Sequence, residues 1–167
     1  SNNGIPFGVV PGNHDYDNYS YWNGANSPGA SRPLSTLTTF NTYFGASSAH
    51  FAGKSWYGGS DGINSYQVFY GGGQKFINLS LEHEPTLVDL NWAQGVINAN
   101  PGVPTIITTH EWIDPNFTGS TNRSNDYNSY FNGTNHQTPD QVWDKFIRKN
   151  DQIFMVLSGH DWTGTVN

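Results

Sequence analysis

The apolar positions fall into short, well-separated runs rather than into one long stretch. Residues 5–10, 65–70, 75–81, 105–108 and 153–157 are β-branched or aromatic and are bounded by turn residues, which predicts strands. The second and third of these face each other across Gly71-Gly72-Gly73, which predicts a hairpin. Between the strands the period changes. Leu87, Leu90, Trp92, Ala93, Val96 and Ile97 mark one face of a helix over 86–98, opened by Pro85 and Thr86 and followed by Pro101-Gly102. Val142, Trp143, Phe146 and Ile147 mark another over 139–149, with Thr138 as N-cap and Pro139 at the first helical position. A weaker pattern predicts a helix over 34–44. Strands alternating with helices predict an α/β fold with a largely buried sheet. Residues 15–33 and 115–137 carry no such period, and their aromatics suit ordered loops that face a ligand.

Composition narrows the chemistry. The chain has 167 residues, which fits one domain, and no cysteine. That excludes disulfides, thiolate metal sites and a cysteine nucleophile. A net charge of −6 with no basic run argues against a nucleic-acid backbone or an anionic membrane surface as principal partner, and binding of phosphate then calls for a metal. No apolar stretch reaches the length of a membrane span. Charged residues make up only 12%, replaced by Asn, Ser, Thr, Gly and Tyr, a surface that points to a secreted protein. The Asn-x-Ser/Thr triplets are about as frequent as this composition produces by chance.

Three predicted strands run into histidine-bearing turns. They are Gly12-Asn13-His14-Asp15, Thr109-His110-Glu111 and Ser158-Gly159-His160. In α/β sheets the ligand crevice lies at the carboxyl ends of the strands, so the three histidines converge there. Neutral imidazole is the commonest metal ligand, and amide or carboxylate oxygens complete the shell of a divalent ion. Gly12 and Gly159 are expected to allow the tight turns. His83, between Glu82 and Glu84, either reaches the same crevice or is a solvated turn residue. His50 and His136 have no partner pattern and read as surface residues.

These blocks resemble, in order and spacing and over the whole chain, the GNH(D/E), single-histidine and GHxH blocks of the calcineurin-like metallophosphoesterases. The resemblance implies part of a four-layer α/β/β/α sandwich. It implies a hydrolase with two divalent ions (zinc, iron, manganese or similar) in which a metal-bound hydroxide attacks a phosphoester, either a small molecule or a phosphorylated substrate. Carried over, Asn13, His110 and His160 bind one metal, His14 serves as general acid or oxyanion donor, and Asp15 orients His14. Glu111 is a candidate acceptor behind the ligands.

Two features depart from the pattern. The family's DxH and GDxxD blocks, which hold the other metal and the bridging carboxylate, are not in residues 1–11. Trp162 stands where GHxH requires its second histidine, and indole offers no lone pair. Asp161 is a poor substitute, since neighbouring side chains diverge. The resemblance therefore implies a partial catalytic domain, truncated at both ends and with N-terminal strands missing. Its longer parent hydrolyses the phosphoester, whereas the chain alone, holding one metal or none, does not. The alternatives are a non-catalytic module that binds a ligand or assembles with its own copies, and a carbohydrate-binding surface on the aromatic loops.

Overall fold

A computed structural model describes residues 4–17, 37–60, 63–113 and 136–160. Within them lies a mixed α/β arrangement of one five-stranded sheet and three α-helices. The strands are β1 (Tyr57–Gly59), β2 (Ser65–Gly71), β3 (Gln74–Ser80), β4 (Thr105–Thr108) and β5 (Ile153–Leu157), and they lie side by side in sequence order. β1, β2 and β3 are antiparallel neighbours, whereas β3, β4 and β5 are parallel. The hairpin closes with Gly71 opposite Gln74, so Gly72 and Gly73 form a two-residue loop. Their φ values of 58° and 83° match the mirror-image turn that suits the twist of paired strands.

The helices are α1 (Thr38–Phe44), α2 (Leu87–Asn98) and α3 (Pro139–Lys145), and a 3₁₀ turn follows at Ile147–Lys149. Thr86 caps α2 by accepting from the Asp89 amide, while Asp89 accepts from the Thr86 amide at 2.8 Å. Thr138 caps α3 through Gln141 in the same way. The helix expected over 34–44 begins at Thr38 and that over 139–149 breaks into 3₁₀ after Lys145, with residues 34–36 outside the described ones.

Strand alternation sends Ile77, Leu79 and Ile107 to one face, where they meet Leu90, Ala93 and Ile97 of α2 and Val142 and Phe146 beside α3. The opposite face carries a polar ladder. Asn78 donates to Gln67 at 2.8 Å and accepts from Thr108 at 2.7 Å, and Ser80 donates to Gln67 at 3.1 Å. Farther along that face are Phe69, Phe76, Ile106, Phe154, Met155 and Leu157. The last three are about half exposed, at 52, 43 and 48%.

The strand expected over 5–10 does not form. Residues 4–12 run irregularly, and Gly8 lies over the polar ladder, where a Cβ would come within 2.3 Å of Gln67 Oε1 and 2.5 Å of Ser80 Oγ. A segment lying on the face of a sheet cannot join its ladder, and Pro6 and Pro11 remove two of its amide donors.

Candidate functional site

The described histidines of the motifs gather at one end of the sheet, where β3, β4 and β5 finish. His110 follows β4 and His160 follows β5, and their rings stand 4.6 Å apart, edge to face. The two turns are tied by a main-chain bond from Gly159 to His110, 3.0 Å. The third block arrives from the chain's beginning as a 3₁₀ turn, Asn13–Asp15, after Gly12. A Cβ at Gly12 would lie 3.0 Å from His110 Cε1 and 3.2 Å from its Nδ1, so this turn abuts the His110 ring. All three turns therefore meet, although the first comes from an irregular segment and not from the end of a strand. Nothing is described of the Asn13 side chain, and Asp161 and Trp162 lie outside the described residues, as do the aromatics expected to face a ligand from the two long loops.

The glycines act differently from expectation. Gly12 has φ −91° and ψ 173°, open to any residue, so its smallness serves the His110 contact rather than the turn. At the third block the left-handed backbone falls on His160 itself, with φ 72°, rather than on Gly159. Glu84, at φ 50°, is the other non-glycine residue of this kind among the described ones. Such backbone costs on the order of 1 kcal/mol or more and tends to persist at functional sites.

His83 is not a solvated turn residue. It is 2% exposed, buried together with Glu82 and Glu84, and its ring meets that of His110 edge to face at 5.5 Å. Burial drives the His83 imidazole down to about 3, while the Glu111 carboxylate works against the shift. Burial likewise lowers His110 to about 4, aided by His160. Both rings are thus neutral near pH 7, the form that donates a lone pair. His136, expected at the surface, is half-buried, with Nδ1 against the Glu84 carbonyl, and burial lowers it as well. His50 is exposed, beside Phe7, Phe44 and Phe51.

The carboxylates have distinct places. Glu111 is buried and sets Oε2 3.2 Å from His160 Nδ1, which places a carboxylate directly beside that ring. Asp15 closes its own turn, accepting from the Gly12 amide at 2.7 Å. Glu84 has an oxygen, Oε1, that finds no hydrogen-bond donor among the described residues. Burial, and then the Glu111 charge, push Glu84 up to about 8. Both Glu84 and Glu111 line a cavity of about 10 Å³, roughly the room for one water.

These donors suit a divalent ion only in part. His110 and His160 have the ring spacing of two ligands to one ion, burial keeps His110 neutral, and the Gly12–Asn13 turn stands against His110. Among the described residues, no three His, Asp or Glu side chains are disposed to hold a metal. Among the described residues the fit therefore extends to the two imidazoles of His110 and His160.

Position alone does not reveal Tyr16, Asn64 and Glu82, which the structure buries beneath the turns. Their partners are distant in sequence, so no local pattern marks them.

No family model and no solved structure matches the chain. Over 159 residues it is 27% identical to the uncharacterized protein YvnB of Bacillus subtilis (strain 168), a match covering 94% of the chain. The chain spans about a tenth of that relative's length, 10%. Among the described residues no helix is long and apolar enough to cross a membrane.

Proposed function

We propose that the chain is part of a metal-dependent phosphoesterase of the calcineurin-like type, acting on a phosphoester within a longer, secreted polypeptide. One observation carries this reading: three histidine-bearing turns from distant parts of the sequence meet at a single sheet end, with Gly12 packed on His110 and His110 on His160. His110 and His160 would hold a divalent ion together with Asn13. When bound, such an ion supplies Lewis-acid polarisation and a nucleophile at neutral pH.

The chain's own residues do the rest. Glu111 places a carboxylate beside the His160 ring, which would offset part of the desolvation cost of a cation held there. His14, exposed on the 3₁₀ turn, can give a proton to the leaving group, and Asp15 fixes that turn. The half-exposed apolar face of Phe154, Met155 and Leu157 supports a second sheet packing there, as the four-layer sandwich requires.

A second reading, a binding module without catalysis, is favoured by the shortage of converging donors among the described residues. Equilibrium dialysis against Co²⁺, with an aryl phosphate assay on the longer polypeptide, separates the two. The enzyme reading expects bound metal that His110→Ala removes, together with turnover. Metal content unchanged in His110→Ala takes His110 out of the ligand set, and absence of both metal and turnover favours the binding module.

A further inference from the structure

Beneath the histidines, position 82 joins three separate segments. Tyr16, directly after the Asn13–Asp15 turn, donates its hydroxyl to Glu82 Oε2 at 3.4 Å. Asn64, fully buried at the start of β2, donates to Glu82 Oε1 at 3.3 Å and accepts from the Glu82 amide at 2.8 Å. Thr109, the residue before His110, donates to the Glu82 carbonyl at 3.3 Å. Three of the four bonds are long, but all are buried.

A buried carboxylate is costly unless donors meet it. Here each oxygen receives one, so the group is used for holding rather than for a ligand. Its neighbour in sequence is His83. Every turn that brings a histidine to the cluster from β3, from β4 or from the chain's beginning is thus fastened to one residue.

We propose that Glu82 is the positioning residue of this site: its carboxylate and main chain hold the His14 turn, His83 and the His110 turn in a fixed mutual arrangement. The proposal rests on the reading of these turns as one site. A structural strut would serve stability alone. A positioning residue also sets where the rings stand, and loss of such supports typically weakens metal binding about 10- to 100-fold.

The test uses the whole chain and removes one hydroxyl at a time, because Glu82→Ala is liable to unfold. Tyr16→Phe is expected to shift the ring-proton resonances of His14, and Thr109→Val those of His110, each leaving the other turn near its wild-type signals. Both variants should bind Co²⁺ about tenfold more weakly than wild type. Lowered melting temperatures with unmoved histidine resonances would overturn the proposal, whatever the metal result. If wild type binds no Co²⁺, the metal reading fails, and the resonances alone decide the role of Glu82.

Discussion

Replacing Gly12 with alanine adds one methyl group at the point where the first histidine-bearing turn meets the second. The backbone does not object, since φ −91° and ψ 173° suit alanine, and the Gly12 amide can still donate to Asp15. The whole effect is steric. The new Cβ would stand 3.0 Å from His110 Cε1, 3.2 Å from Nδ1 and 3.4 Å from Nε2. Unstrained contacts lie at about 3.5–4.0 Å, so the ring or the turn must give by about half an ångström. Overpacking of a closed core costs about 1–3 kcal/mol. Both partners are half-buried and can relax, which puts the cost near the low end, about 1 kcal/mol. For a chain of this size that lowers the melting temperature by about 2–4 °C. Ligand geometry is less forgiving, because a productive site tolerates about 0.5 Å of displacement. On the proposed metal reading, Gly12→Ala should therefore weaken Co²⁺ binding about tenfold or more while barely changing thermal unfolding. Isothermal titration and a thermal melt measure the two effects separately. Wild-type Co²⁺ affinity together with an unshifted His110 resonance would refute the claim that this contact sets the ring.

Glu84 gives a pH-dependent prediction. Its folded-state value of about 8 exceeds the ordinary 4.5, so between those limits the folded chain keeps a proton that the unfolded chain releases. Stability from this group is complete below pH 4.5 and declines as pH rises to 8, at most by about 1.4 kcal/mol per pH unit. Glu84→Gln should flatten that decline and raise the melting temperature at pH 8; an unchanged profile by calorimetry would contradict it. Gly8→Ala puts a methyl within 2.3 Å of Gln67 and 2.5 Å of Ser80, both buried. It should cost about 1–2 kcal/mol and lift residues 4–12, seen as faster amide exchange there.

Much of the fold was legible because periodicity reports burial directly. The hairpin, β4, β5 and α2 each form where their patterns place them, and Thr86 and Thr138 mark the starts of α2 and α3. Residues 5–10 misled for a clear reason. An apolar run alone does not make a ladder: residues 4–12 lie across the face of the sheet, with Ile5 85% and Phe7 41% exposed. The convergence of His110 and His160 followed from sheet geometry, whereas the burial of Glu82, His83 and Glu84 did not. A charged tripeptide after a strand looks solvated until its distant partners, Tyr16 and Asn64, are placed. Such long-range donors leave no local period.

The strand order also bears on how the site comes into being. Each strand pairs with the one made just before it, so the sheet can grow outward from the β2–β3 hairpin by addition at one edge, without inserting a strand between two already joined. Synthesis from the N-terminus thus releases His83, then His110, then His160, in the order in which their strands dock. The Asn13–Asp15 turn is made first but rests on surfaces made later, so it must wait. The cluster of imidazoles closes only when β5 arrives, and until then a nascent chain has the scaffold without the completed cluster.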